Sequence, residues 1–169
     1  MQKTLDTVAI TIDRLEQSPD FLLALLNAIP GKRYKERRVE GKWCIHEQIC
    51  HLVDAQEIIL GRFCQFRDEA EVHIRAHAPS AAGDGDHYMN MDMDACLEKF
   101  QYIRREMIRM LRDQSPEYWT KTGTHDAFEP YSSFLLLLHT LNVDHAHFFS
   151  IEQLGLTLDG LEREILVVP

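Results

Sequence analysis

The chain has 169 residues, 45% of them hydrophobic and 27% charged, with a formal net charge of −9. Such a length and composition suit one soluble domain spanning 1–169 around one sizeable core. The acidic balance argues against a nucleic-acid partner, because phosphate binding needs a basic face, and no apolar run approaches the ~18 residues that a membrane span needs.

The first predicted element, "TVAITIDRLE", is an amphipathic helix, and the N-terminal stretch "MQKTLDTVAITIDRLEQ" carries charges throughout, unlike a secretory signal. "SPDF" then reads as a second helix start, with Ser18 as N-cap and Pro19 at the first helical position. Phe21, Leu22, Leu25, Leu26 and Ile29 supply its apolar stripe, and Pro30-Gly31 ends it. Residues 3–29 therefore predict one helical arm broken at Ser18-Pro19. A polar connector follows at 31–42. The second long helix is predicted from near Trp43 to about residue 67, with Ile45, Ile49, Leu52, Val53, Ile58, Ile59 and Phe63 buried. Residues 76–90 read as loop. Asp92 or Asp94 opens a third helix, on which Met93, Leu97, Phe100, Ile103, Met107 and Met110 recur at three and four, and Ser115-Pro116 stops it. Residues 123–133 read as loop, and an apolar fourth helix runs from about 133 to 155. The tail "EILVV" (164–168) is the one strand candidate. The pattern predicts an all-α four-helix bundle, and the roughly 25-residue connection between helices 2 and 3 allows a crossover.

Four cysteines, at 44, 50, 64 and 96, form no C-x-x-C pair, so a zinc ribbon or thioredoxin-type site is not indicated. The expectation is a reduced, cytoplasmic protein. Cys50 reads as a small core hydrophobe, Trp43 as an aromatic anchor, and the methionines at 89, 91, 93, 107 and 110 as packing.

The histidines carry the chemistry. "HEQICH" (46–51) looks like a zinc-hydrolase helix, but its two histidines are five apart, not four, and point about 140° away from each other. They cannot share a metal. His51, in mid-helix with Gln48 and Ala55 on its face, is the inward one. It is either a hydrogen-bonded core histidine or a ligand. His46 lies near the helix start, either exposed or part of the entry turn. On helix 4, Asp144 and His147 lie within about 60° and can converge. His139 and His147 are separated by about 12 Å of rise, too far to share one ion. His73, His77 and His87 read as solvated loop residues, and His125 as lying over the mouth of the bundle or in a turn.

Three segments resemble the DinB-like superfamily, which includes the YfiT-type proteins. They are "SPDFLLALLNAIP", "GKWCIHEQICHLVDAQEIILGRF" and "THDAFEPYSSFLLLLHTLNVDHAHFFSIEQL", in this order. The resemblance implies a four-helix bundle, often a homodimer, with a divalent metal (Zn, Ni or Mn) between helices 2 and 4. The usual ligands are a helix-2 histidine, matched by His51, and an H-x-x-x-H on the last helix, whose second member matches His147. Its first member falls on Val143. Asp144 is the nearest substitute ligand, and Glu47 is another. The implied activity is thiol S-transfer using a low-molecular-weight thiol, or hydrolysis, on a small-molecule substrate. His139 or His125 would serve as general base, and Arg62 would form a salt bridge or meet an acidic substrate group. The rival expectation is a metal-free binding or structural protein in which His51, Asp144 and His147 form a buried hydrogen-bond cluster.

Overall fold

Four long helices carry the fold: α1 (Gln2–Ala28), α2 (Ile45–Asp68), α3 (Met93–Arg112) and α4 (Ser133–Leu156). The computed structural model of the chain describes residues 2–77 and 86–161. The tail at 164–168 and part of the predicted loop at 76–90 lie outside the described residues. No helix of the described residues is long and apolar enough to cross a membrane.

The core has two apolar ends. At one, Leu15 of α1 meets Phe63 and Phe66 of α2, Met107 and Leu111 of α3, and Leu136 and Leu137 of α4. At the other, Leu22 and Leu26 meet Ile49 and Leu52, Phe100, and Ile151 and Leu154. The order in which each helix enters these ends fixes its direction. α1 and α4 run one way, and α2 and α3 the other. α1 packs on α3 and α4, and α2 packs on the same two. α2 and α3 are therefore parallel neighbours. The chain between them must return along the length of the 24-residue α2, about 36 Å. That is the crossover its length allows.

A polar layer separates the two apolar ends, with one member from each helix. Arg104 of α3 is buried at 1% exposure and makes a bidentate pair with Asp144 of α4, at 2.7 and 2.9 Å. It also donates to Gln56 Oε1 of α2 at 3.1 Å, and to Ser18 Oγ and the Leu15 carbonyl of α1 at 2.6 and 2.9 Å. Its guanidinium carbon lies 5.1 Å from the Phe100 ring centroid.

This layer explains why α1 is unbroken, contrary to the sequence prediction. Pro19 lies inside the helix and leaves the carbonyl four residues earlier, Leu15, without its helical donor. Ser18 Oγ donates to that carbonyl at 3.0 Å, and Arg104 adds a second bond. The pair that reads as an N-cap and a helix start is a repaired interruption. Phe21, placed in the apolar stripe by periodicity, is 60% exposed and stacks on Phe148 at 5.8 Å.

α2 begins at Ile45, with Cys44 at its N-cap and Glu47 accepting from the Cys44 amide at 2.9 Å. Asp92 opens α3 by accepting from the Asp94 and Ala95 amides, as its residue type predicts. The predicted loop at 123–133 is instead a small hairpin. β1 (His73–Ile74) pairs parallel with β2 (Thr122–His125), which pairs antiparallel with β3 (Tyr131–Ser132). Strands of two to four residues are too short to leave a periodic signal.

α4 closely approaches the residue that follows α1, where Gly155 faces Ile29. A Cβ at residue 155 would lie 2.4 Å from Ile29 Cδ1. Gly155→Ala is expected to destabilise the protein by about 1–3 kcal/mol through overpacking, despite the better helix propensity of alanine. Urea unfolding of the two proteins measures this, and an unchanged or raised midpoint would contradict the close approach.

Candidate metal centre

The crossing of α2 and α4 brings His51 and His147 together, with ring centroids 5.1 Å apart. They are 5% and 8% exposed. Their Nδ1 atoms are committed. His147 Nδ1–H donates to Gln48 Oε1 at 2.5 Å. A carboxamide oxygen only accepts, so the ring proton of His147 is on Nδ1 and the Nε2 lone pair is free. On His51, Nδ1 meets the Tyr88 hydroxyl at 3.2 Å, and that hydroxyl donates to Asp54 Oδ2 at 3.1 Å. With the Tyr88 proton so used, His51 Nδ1–H is the donor and its Nε2 too is free. Neither Nε2 has a hydrogen-bond partner among the described residues, and neither is sealed from solvent.

Burial pushes the pKa of both imidazoles down to about 4, with the neighbouring ring charge of His147, and then that of His77, adding to the effect on His51. Both rings are therefore neutral at pH 7. Trp43 closes one side, its ring 4.6 Å from His51 and 5.5 Å from Tyr88. This residue reads from sequence as a simple anchor, yet it forms a wall of the site.

Two neutral imidazoles with free Nε2 atoms, each oriented through Nδ1 by a carboxamide or a Tyr–carboxylate pair, are the kind of donors and supporting contacts that metal sites use. The third protein ligand is the difficulty. Val143 lies one turn before His147 and offers no donor. Both oxygens of Asp144 are taken by Arg104. Glu47, the other substitute, is held by Arg37 at 2.6 and 3.2 Å and by its own cap. Burial works to raise the Glu47 pKa, but these donors outweigh it and hold the carboxyl below its usual range. Neither carboxylate is free to turn toward the imidazoles. Among the described residues no group of three or more His, Cys, Asp or Glu side chains could hold an ion. The residues present thus fit an ion held by two imidazoles, with its remaining positions open to exogenous ligands.

Of the other histidines, the exposed His77 is near enough for its charge to act on His51, and the His87 ring packs on Tyr88. His46 is buried, not exposed, with Nε2 3.1 Å from the Met91 carbonyl. His145 and His87 are exposed. His73 is exposed and bonds Thr124 Oγ1 at 2.8 Å and Asp126 at 3.1 Å. The proposed bases, His125 and His139, group with Phe128 and Tyr131 by the hairpin. Burial lowers the pKa of both, and the charge of Arg62 adds to it.

Sequence reasoning missed four residues. Gln48 was placed on the His51 face but not as the partner of His147. Tyr88 sits in the long connection, where no periodicity marks it, and Asp54 acts through Tyr88. Arg104 did carry a signal, since a cation four residues after Phe100 falls within the apolar stripe of α3.

Comparison with known proteins bears on this arrangement. The solved structure of YfiT from Bacillus subtilis, described as a probable metal-dependent hydrolase with an unusual four-helix bundle topology, superposes with a TM-score of 0.76. It is 20% identical, and the match covers 88% of this chain and 86% of that one. No curated protein matches the chain. The sequence profile of the DinB superfamily matches residues 14–147, a span that opens in α1 and closes on His147 itself. With that match covering most of the bundle, the chain belongs to the DinB superfamily.

Proposed function

We propose that this protein is a metal-dependent hydrolase acting on a small molecule, with a divalent ion held between α2 and α4 by Nε2 of His51 and Nε2 of His147. The observation that carries this reading is the pair of Nδ1 contacts, from which the tautomer of each ring follows. Gln48 and the Tyr88–Asp54 pair each fix a proton on Nδ1 and leave Nε2 unpaired, on two rings whose centroids are 5.1 Å apart. A Zn, Ni or Mn ion there would supply the Lewis acidity that activates a water, or a low-molecular-weight thiol in the S-transfer version of the reaction. Gln48 and Tyr88 hold the ring planes, Asp54 stabilises the Tyr88 hydrogen bond, and Trp43 excludes water from one side.

Metal content of the untagged protein tests this. One equivalent per chain, lost in His51→Ala and in His147→Ala, is the expected result. Tyr88→Phe should weaken binding by about 10–100-fold while the fold persists, because it removes the acceptor that orients His51. Val143→His should tighten binding by about tenfold or more, by adding an imidazole one turn before His147.

One observation favours a second reading, a metal-free binding protein: both candidate replacement carboxylates are committed to arginines. No uptake of zinc, nickel or manganese by the wild-type chain would select it.

A further inference from the structure

The facing stripes of α2 and α4 continue beyond the imidazole pair. His51, Ala55, Ile58 and Arg62 share one face of α2, and His147, Val143 and His139 follow one side of α4. Ala55, Ile58 and Val143 are only partly buried, so an accessible apolar strip leads away from the two rings. It ends, about 12 Å of helix rise farther on, at the hairpin.

The chemistry at that end is one-sided. Arg62 Nη2 donates to the Arg75 carbonyl at 2.9 Å, which holds the guanidinium against the segment following β1, where Ile74 pairs with His125. No carboxylate among the described residues lies within ion-pair distance of Arg62. Tyr131 is 5% exposed, and its hydroxyl is sealed with no hydrogen-bond partner. An orphaned buried hydroxyl costs about 1–3 kcal/mol unless something pairs with it. The His125 ring lies 4.6 Å from the Tyr131 ring. His125 Nδ1 accepts from the Ala127 amide at 2.9 Å, so its Nε2 carries the proton and is a further donor. The neighbouring Asp126 carboxylate is occupied by His73 and by the Ala76 amide, at 3.1 and 3.0 Å. Phe128 stacks over Tyr131 at 6.2 Å and lies 5.9 Å from His139. It is 52% exposed, so it can swing aside at little cost to the core.

A guanidinium with no carboxylate partner among the described residues, an orphaned phenol hydroxyl and an imidazole N–H are donors available to an anion. We propose that Arg62, His125, His139 and Tyr131 form a subsite for the carboxylate of a small organic acid whose apolar body lies against Phe128. The charge of Arg62 already reaches Tyr131, His125 and His139, lowering the pKa of both imidazoles after burial and opposing the rise that burial imposes on Tyr131. The next step rests on the function proposed above. A substrate anchored here by its carboxylate would lay its scissile bond along the apolar strip toward His51 and His147, so the substrate class is an acid with its reactive bond remote from the carboxylate.

Benzoate and its neutral isostere benzamide serve as probes, read by NMR on the ring C–H resonances of His125 and His139 in histidine-labelled protein. The titrations are run at one pH above the imidazole range and at constant ionic strength. Benzoate should shift both rings with a dissociation constant of about a millimolar, and benzamide should bind at least about tenfold more weakly. Arg62→Gln should weaken benzoate about tenfold, Arg62→Lys less, and Tyr131→Phe about threefold. Thermal unfolding confirms that each variant is folded, and if Arg62→Gln does not fold, the lysine variant and Tyr131→Phe carry the test. Equal binding of the two probes, or benzoate affinity unaffected by all three substitutions, overturns the subsite, as does an absence of shift in the wild type. Benzoate affinity should persist in His51→Ala. Loss of metal binding and loss of the subsite are therefore separate outcomes.

Discussion

Asp144→Asn is expected to lower the unfolding free energy by about 3–5 kcal/mol, the usual cost of stranding a buried charge. Asp144 is 0% exposed, and both its oxygens accept from Arg104. An asparagine carries one acceptor oxygen and no charge, so the guanidinium would be left in the centre of the bundle with only neutral partners, Gln56, Ser18 and the Leu15 carbonyl. The consequence extends to α1, because Arg104 helps to satisfy the carbonyl that Pro19 exposes. Urea unfolding monitored by circular dichroism measures the loss. The double variant Arg104→Met with Asp144→Leu should recover only part of it, since replacing the ion pair by apolar side chains removes the stranded charge but leaves the buried Gln56 carboxamide without its donor. A loss under about 1 kcal/mol in Asp144→Asn would mean that the pair is hydrated and that the layer does not hold the four helices in register.

The second large effect is acid sensitivity of the metal-free protein. His51 and His147 titrate at about 4 in the folded chain, against an ordinary value of 6.5. The folded rings resist protonation, so between these values the unfolded chain binds more protons. Stability is then complete above pH 6.5 and falls as the pH drops through that value toward 4. Each ring contributes a loss of about 3 kcal/mol once the pH is below both values. The two losses are linked, because charging one ring makes charging the other harder. Urea midpoints of the chelator-treated protein across this range should decline with acid, and His51→Gln or His147→Gln should flatten the decline. A midpoint that stays constant from about pH 7 to about pH 4.5 would show that the rings are not held neutral. Protons and metal compete for the same Nε2 atoms, so metal affinity should fall over the same range.

Periodicity made the four helices legible, because three- and four-residue spacing of apolar side chains is a local property of an amphipathic helix. The length of the connection after α2 permitted a crossover, and the parallel packing of α2 on α3 requires it. What failed was the reading of residues whose partners are distant in sequence. Ser18-Pro19 carries the signature of a helix start, and α1 continues through it because the Ser18 hydroxyl and Arg104, arriving from α3, both bond the freed Leu15 carbonyl. Asp144 has the geometry of a ligand beside His147 when α4 is considered alone, yet a guanidinium four decades of residues away takes both its oxygens. The hairpin at 122–132 rests on strands too short to establish a period.

The sequence by itself determined that His46 and His51 cannot share an ion, because the angle between them is a property of one helix. It also determined that His147 and His139 cannot share an ion, because rise per residue is fixed by the backbone. The tertiary structure decided that His51 and His147 meet, which nitrogen of each ring is free, and that the nearby carboxylates are already committed. Those facts depend on hydrogen bonds between side chains from different helices, such as Gln48 with His147 and Tyr88 with His51. The geometry of such bonds exists only once the helices have packed.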